Sequence, residues 1–166
     1  GSSVTLNLYV TPVAGDIGAS DLTTDEDMPV AFLSGVRVTD TIADGGSEVI
    51  NSVTFEVPTG WVVTQPAASA GWAYNLVGND AEIIFDNSLT QAQRETILGG
   101  FTIKPPAHSS ADVTIDLSIT STDSNTVNGA QVNSGPVTVT RSVDITVDPV
   151  AERTDTDSDG VGGNDV

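Results

Sequence analysis

Residues 113–122 read Val113-Thr114-Ile115-Asp116-Leu117-Ser118-Ile119-Thr120-Ser121-Thr122. In an extended chain the aliphatic side chains at every second position lie on one face, and the polar side chains between them lie on the other. This is the pattern of a β-strand with one buried and one solvent-exposed face. The stretch therefore predicts a sheet that covers a hydrophobic core on one side.

Similar alternating segments recur along the chain, separated by Gly, Pro, Asn and Asp. They span Val4–Val10, Pro29–Thr39, Val49–Val57, Trp61–Thr64, Trp72–Val77, Ala81–Phe85, Phe101–Lys104 and Val137–Val147. Gly78-Asn79-Asp80 predicts a tight hairpin, and Thr90–Leu98 predicts a short helix that ends at Gly99. Together these signals predict an all-β fold: an immunoglobulin-like β-sandwich of about seven to nine antiparallel strands with one short helix.

The charge of the chain excludes several classes of partner. There are 23 acidic and 5 basic residues, which give a formal net charge of −18. We expect no nucleic-acid partner, because phosphate contacts need Lys and Arg, and an anionic membrane surface repels such a chain. No apolar run is long enough to span a bilayer. Two interpretations of the charge remain: an acidic surface that keeps the protein soluble, and carboxylates that bind divalent cations.

The sequence offers little for catalysis. It has no cysteine and one histidine, His108, which follows a proline-rich turn and is expected at the surface. The nucleophile motif G-x-S-x-G is absent. We expect Trp61 and Trp72 to belong to the core or its edge rather than to stack on a sugar. The chain is therefore not expected to be an enzyme.

A short internal repetition predicts the domain organisation. Thr11-Pro12-Val13-Ala14 follows the first alternating segment, and Asp148-Pro149-Val150-Ala151 follows the last. This echo is typical of a tandem array of modules. We interpret residues 1–21 as a cloning remnant (Gly1-Ser2-Ser3) plus the last strand or linker of a preceding module, with a first strand that imitates that last strand as the alternative for residues 4–14. Residues 22–148 are then one sandwich module, and residues 149–166 are an acidic calcium-binding linker into the next.

The predicted linker contains a calcium-loop spacing. It reads Asp155-Thr156-Asp157-Ser158-Asp159-Gly160, so that alternate carboxylates point to one side and Gly160 permits the turn around an ion. The twelfth position is Val166, which cannot supply the carboxylate of an EF-hand. A shorter loop closed by Asn164 or Asp165, a half-site and an acidic tail without metal remain as alternatives.

Two further acidic clusters flank the predicted strand Pro29–Thr39. Asp25-Glu26-Asp27 precedes it, and the loop that ends at Glu48 follows it. If this segment is the first strand of a seven-stranded sandwich, the loop after it lies at the pole from which the last strand leaves. Four carboxylates are then expected to converge on a cation between modules: Asp40, Asp44, Glu48 and Asp148.

Five short stretches, taken in order, carry a resemblance to a known family. They are Thr24–Val30, Asp40–Ile50, Pro58–Trp61, Phe101–Ala107 and Asp148–Ala151. The chain resembles, over about residues 22–152, the cadherin-like and immunoglobulin-like tandem repeats of giant RTX-type adhesins of Gram-negative bacteria. The resemblance implies a secreted, surface-tethered protein of biofilms whose calcium ligands are Glu26, Asp27, Asp40, Asp44, Glu48, Asp148 and Glu152.

Two functions follow from this resemblance. In the first, the module is a monomeric, Ca²⁺-stabilised extender whose partners are the neighbouring repeats of the same chain, and which holds distal binding domains away from the cell. In the second, the module binds a peptide or glycan with the help of calcium, through the long loops 64–72 and 123–136. The sequence favours the extender.

Overall fold

The alternating residues of the sequence build one large twisted sheet. A computed structural model describes residues 15–39, 47–127 and 130–151 of the chain. Its strands are β1 (Asp16–Gly18), β2 (Leu22–Asp25), β3 (Arg37–Thr39), β4 (Ser47–Glu56), β5 (Val62–Thr64), β6 (Trp72–Val77), β7 (Asp80–Phe85), β8 (Thr102–Lys104), β9 (Val113–Val127), β10 (Ala130–Asn133) and β11 (Val137–Asp148). One helix, α1 (Gln91–Gly99), lies between β7 and β8.

The large sheet has the strand order β2-β11-β9-β4-β7-β6, and β10 adds to the far end of β9. All of these pairs are antiparallel except β2 and β11, which run parallel. A second layer holds two small sheets, β1–β3 and β5–β8. Between the layers lies the hydrophobic core, to which alternate residues of β9 (Ile115, Leu117 and Ile119) and of β11 (Val143, Ile145 and Val147) contribute. Burying one such side chain stabilises the fold by about 1.5–3 kcal/mol.

The predicted all-β sandwich with one short helix is confirmed. Strand segments were predicted correctly at β4, β5, β6, β7, β8, β9 and β11, and the hairpin between β6 and β7 turns at Gly78 with φ 64°. Two details differ. The described residues contain eleven strands rather than seven to nine, and β2–β11 is parallel. The additional strands β1, β2 and β10 have only three or four residues each, which is too short to show a period of two.

The prediction of one strand over Pro29–Thr39 is wrong. Val30 forms an isolated bridge with Ile103, and the chain then turns, with the Ser34 N–H donating to the carbonyl of Ala31. Phe32 and Leu33 are consecutive and both fully buried. Neighbouring residues of a strand face opposite sides, so a turn is the conformation that buries both. Only Arg37–Thr39 is extended.

The stretch 123–136, predicted as a long loop, is mostly strand. β9 continues to Val127, and β10 pairs with it from Ala130↔Val127 to Asn133↔Ser124. The alternation of β9 also continues, because Ser121 and Asp123 occupy buried positions after Ile119. The loop over residues 65–71 is present as expected and has no strand or helix.

Helix α1 begins as its sequence predicts. The Thr90 side chain accepts from the Gln93 N–H, and the Gln93 side chain accepts from the Thr90 N–H, a reciprocal capping box. The helix has nine residues, and no helix among the described residues is long and apolar enough to cross a membrane.

Side chains of α1 take the place of a missing strand beside β4. The pairing of β4 with β9 shifts at Asn51, and β4 pairs with β7 only from Ser52 onward. At Ile50 the backbone N–H donates to Gln91 Oε1 at 2.8 Å, and the carbonyl accepts from Arg94 at 2.6 Å. The helix therefore completes the hydrogen bonds of β4 where the sheet stops.

Arg94 is the most deeply buried charge among the described residues, with 1% of its surface exposed. Besides Ile50, its guanidinium donates to the carbonyls of Leu89 at 3.1 Å and Asp86 at 2.7 Å. Burial lowers the pKa of the Arg94 guanidinium, and the Asp86 charge opposes that shift. The Arg94 side chain thus joins three segments: α1, β4 and the connection from β7 to α1.

Replacing Arg94 should destabilise the fold strongly. Arg94→Met fills a similar volume but removes the donors of the buried Ile50 carbonyl and of the partly buried Leu89 and Asp86 carbonyls, and we expect a loss of about 3 kcal/mol in the free energy of unfolding. Arg37→Ala is the control, because Arg37 forms an exposed ion pair with Glu95 and should change stability by less than about 1 kcal/mol. Urea denaturation of both variants checks this. Equal effects of the two substitutions would contradict the bridging role of Arg94.

Candidate cation-binding poles

The acidic candidates separate to the two ends of the large sheet. We call one end the upstream pole; it contains Gly15, Glu48, Ser121 and Asp123. The other is the downstream pole, which contains Glu26, Asp27, Asp112 and Asp148. Glu48 lies directly across from Asp123 on β9, whereas Asp148 lies beside Asp25 at the end of β2.

The expected convergence of Glu48 and Asp148 is wrong. On β9, Asp123 is the partner of Glu48 and Val113 is the partner of Ile145, close to Asp148, and these two positions are ten residues apart, so the poles are about 30 Å or more from each other. The physical reason is that the strand parallel to β11 is β2, not the segment Pro29–Thr39. The cluster that shares a pole with Asp148 is therefore Asp25-Glu26-Asp27.

At the downstream pole, Glu26 holds the chain as it leaves the sheet. Its backbone N–H donates to the carbonyl of Asp148 at 2.9 Å, and its side-chain Oε1 accepts from the N–H of Val150 at 2.8 Å. Backbone groups at the end of a strand lose their ladder partners, and a carboxylate is a strong substitute acceptor. Glu26 therefore fixes the direction of residues 148–150.

Asp27 and Asp112 hold neighbouring segments of the same pole. Asp27 Oδ1 accepts from the N–H of His108 at 3.2 Å, and its Oδ2 lies 3.6 Å from His108 Nδ1. Asp112 Oδ1 accepts from the N–H of Val147 at 2.9 Å. Asp27 has a φ of 64°, a conformation that Asp tolerates better than most residues. Three carboxylates thus order the downstream pole through backbone N–H groups.

At the upstream pole, Glu48 is buried, with 8% of its surface exposed. Its Oε1 accepts from the Ser121 hydroxyl at 3.0 Å, and its Oε2 accepts from the N–H of Gly15. A Cβ at position 15 would collide with the Thr39 carbonyl and with the Glu48 carboxylate. Glycine therefore permits the close approach through which Glu48 anchors the upstream end of the described fold.

Glu48 and Asp123 bring two acids together inside this pole. They are direct partners across the β4–β9 ladder and are 8% and 5% exposed. Directly opposed like charges on neighbouring strands destabilise a sheet when both are ionised.

The described residues supply only part of the predicted cation sites. Glu26, Asp27, Glu48 and Asp148 are placed as stated, but the described part of the chain holds no group of three or more Asp, Glu, His or Cys side chains that could bind one metal ion. The other candidates lie outside the described residues and stay predictions: Asp40, Asp44, Glu152, Asp155, Asp157 and Asp159.

Sequence reasoning missed several residues of the poles. Ser121 and Asp123 could have been found, because they continue the every-second-residue pattern of β9 onto the buried face. Asp112 directly precedes a strand, a position typical of turn acids. His108 was predicted at the surface, and its side chain is 70% exposed, but nothing in the sequence indicated its contact with Asp27.

Residues that precede the predicted module 22–148 pack against it. Residues 16–18 form β1, and Ile17 is 1% exposed in the core. Arg141 of β11 donates to the Ile17 carbonyl and to Asp16, each at 2.6 Å. These residues therefore pack as part of the sandwich, whereas the tandem array and the linker 149–166 stay predictions.

Removing the Glu48 carboxylate should weaken the fold. Glu48→Ala leaves the Gly15 N–H and the Ser121 hydroxyl without this acceptor, and we expect a loss of about 3 kcal/mol, because hydrogen bonds to charged groups contribute about 1.5–3 kcal/mol each. The matched control is Glu56→Ala, an exposed glutamate at the other end of β4, with an expected effect within about 0.5 kcal/mol. Chemical denaturation measures both, and a Glu48→Ala variant as stable as its control would refute the anchor.

Comparisons with known proteins give no family. No protein-family profile and no curated protein matches the chain. Among solved structures, the chain is similar to the seventh ScaB type I cohesin from Pseudobacteroides cellulosolvens, with 12% sequence identity, a TM-score of 0.41, and coverage of 82% of this chain and 93% of that chain. A likeness of this size assigns no function, and the fold class is carried by the strands and core described above.

Proposed function

We propose that the chain is a stiff, calcium-stabilised extender module of a secreted cell-surface adhesin. The observation that carries this proposal is that the two ends of the described fold lie at opposite poles. The described fold begins at Gly15 in the upstream pole and ends beyond Asp148 in the downstream pole, and a carboxylate holds the backbone at each. Modules with this arrangement extend a tandem array by their full length.

The contacts between β1, β2 and β11 support transmission of tension along the module. Arg141 ties β11 to β1, and β2 pairs with β11 in parallel from Leu22↔Ile145 to Asp25↔Asp148. A pull on both ends draws β2 and β11 in opposite directions along their axes. All hydrogen bonds of this pair are then loaded together instead of one after another, which favours a module that stays folded under load.

Calcium is the cation that suits the donors. Ca²⁺ takes six to eight oxygen ligands, often from carboxylates on loops. At the downstream pole Glu26, Asp27 and Asp148 lie at the same end of the sheet without forming one ligand group among the described residues, and the acidic residues of 152–159 follow directly in the sequence. At the upstream pole Glu48 follows the segment that contains Asp40 and Asp44. We propose these two sets as calcium ligands, which would convert carboxylate repulsion into stiffness between modules.

Composition and resemblance support the location and the partners. Extracellular modules bind calcium with a Kd of about 10⁻⁴–10⁻³ M, so external calcium would fill the sites and cytosolic calcium would not. The resemblance to RTX-type adhesin repeats and the absence of cysteine fit a metal-stabilised secreted module. The proposed partners are the neighbouring repeats, with no nucleic acid, no membrane insertion, a monomeric chain and no catalytic activity.

A calcium titration tests the proposal. After chelation, calorimetric titration with Ca²⁺ should show binding with a Kd of about 10⁻⁴–10⁻³ M, and calcium at about 100 times Kd should stabilise the fold by about 2.7 kcal/mol per site. The double variant Glu26→Gln, Asp27→Asn keeps a side-chain acceptor at each position but removes both charges. It should bind at the downstream pole at least about tenfold more weakly.

The control for this titration is Glu82→Gln on the outer face of β7, which removes one charge away from both poles. Its calcium binding should equal that of the unsubstituted chain. A melting temperature that does not respond to calcium would overturn the calcium part of the proposal. Equal weakening by Glu82→Gln would show that calcium screens the net charge instead of occupying the poles.

A further inference from the structure

A polar cleft opens beside the irregularity of β4. It has a volume of about 580 Å³ and lies between the β9–β10 hairpin, the segment that follows β7 and the first turns of α1. It exists because β7 leaves β4 at Ser52, while β9 continues past that point with β10 beside it. Volumes of this size are typical of small-molecule sites.

The chemistry of the cleft differs from that of the whole chain. Its described lining includes four side-chain amides, two hydroxyls and one guanidinium, and none of these described lining residues is Asp or Glu. The chain as a whole has 23 acidic residues. By contrast, the depression on the outer face of the large sheet is lined by four carboxylates: Glu56, Asp80, Glu82 and Asp116.

The floor of the cleft is fixed by its own hydrogen bonds. Arg94 donates to three backbone carbonyls and lies 3.4 Å from Asn51 Oδ1. Asn51 Nδ2 in turn donates to the Thr122 hydroxyl. Because the guanidinium N–H groups donate to these carbonyls, Arg94 fixes the floor of the cleft and does not present an open anion site. A preordered floor lowers the entropy cost of binding.

The walls offer amides that face solvent. Asn87, Gln131 and Asn133 are exposed and line the cleft from two sides. Each amide carries one acceptor oxygen and two N–H donors. Adjacent hydroxyl groups of a sugar ring also donate and accept, so they pair with such amides. Val49 and Leu89 add a small apolar surface that suits the C–H face of a sugar.

The cleft offers little to a peptide backbone. Extended peptides bind by adding to a free strand edge, but the N–H and carbonyl of Ile50 are already paired with Gln91 and Arg94, and β9 is flanked by β4 and β10. The recognition groups that remain are side-chain amides and hydroxyls. These favour a neutral polyhydroxylated ligand.

We propose that this cleft binds a neutral saccharide without calcium. The inference goes beyond the proposed extender function and does not depend on it, because the cleft uses amides where the poles use carboxylates. The module would then both lengthen the array and attach along its side to uncharged glycans.

A titration followed by NMR tests this proposal. The ¹⁵N-labelled chain is titrated, with a chelator present, with glucose, galactose, mannose, N-acetylglucosamine, maltose and cellobiose, each to about 10 mM or more. The side-chain amide signals of Asn87, Gln131 and Asn133 should shift with at least one sugar, and adding calcium should leave the affinity unchanged. A neutral alanine-based peptide serves as the second probe and should cause no shift.

Paired variants separate recognition from folding. Asn87→Ala with Gln131→Ala removes two exposed wall amides and should weaken saccharide binding about thirtyfold, if each hydrogen bond contributes a typical net amount. The matched control is Asn75→Ala with Gln65→Ala, two exposed amides outside the cleft, which should leave the affinity unchanged. A melting curve verifies that both double variants are folded.

Several outcomes would overturn the proposal. They are no shift with any sugar of the panel, shifts outside the cleft, equal weakening by both double variants, and binding of the peptide but not of the sugars. Binding that is lost with the chelator would place recognition at a metal instead. A failed calcium titration leaves the saccharide result unaffected, so the two functions are tested separately.

Discussion

The parallel pairing of β2 with β11 places the two ends of the described fold at opposite poles. At the upstream pole the Glu48 carboxylate accepts a hydrogen bond from the Gly15 N–H. At the downstream pole, where β2 and β11 end side by side, the Glu26 carboxylate accepts one from the Val150 N–H. Because the two ends of the described fold lie at opposite poles, the loops between strands are divided between two separate ends. The acidic clusters at these ends are therefore positioned to act on neighbouring modules rather than on each other.

Acidic and basic side chains occupy different parts of the described fold. The exposed carboxylates lie at the poles and on the outer face of the large sheet, where water or cations can solvate them, whereas Glu48 and Asp123 are buried at the upstream pole. The interior beside β4 instead contains Arg94, whose donors satisfy carbonyls that no strand reaches. Where α1 side chains stand beside β4 instead of a strand, the sheet leaves a cleft that is lined by amides. The described lining residues of this cleft include no carboxylate. One irregularity of β4 thus explains both the buried arginine and the cleft.

The sequence predicted what depends on local pattern. Alternation located β9 and β11, and the helical stretch Thr90–Leu98 followed by Gly99 located α1, because these signals are contained in neighbouring residues. It did not predict β2, whose four residues acquire a strand conformation only through β11, and it mistook the Phe32-Leu33 turn for a strand. Because the segment Pro29–Thr39 was predicted as a strand, Glu48 was expected at the same pole as Asp148. The partners of Glu26 and Glu48 are distant in sequence, so they depend on topology and not on motif.

Single-molecule pulling tests the central claim, that the module transmits tension between its poles. The chain is stretched either by its two ends or between its carboxyl-terminal end and a cysteine placed by Asn79→Cys in the β6–β7 turn, which faces the downstream pole; the natural chain has no cysteine. Lengthwise stretching shears β2 against β11, whereas the second geometry peels strands singly. We expect one unfolding step at a clearly higher force in the lengthwise geometry. Equal forces, or a lower lengthwise force, would contradict the account.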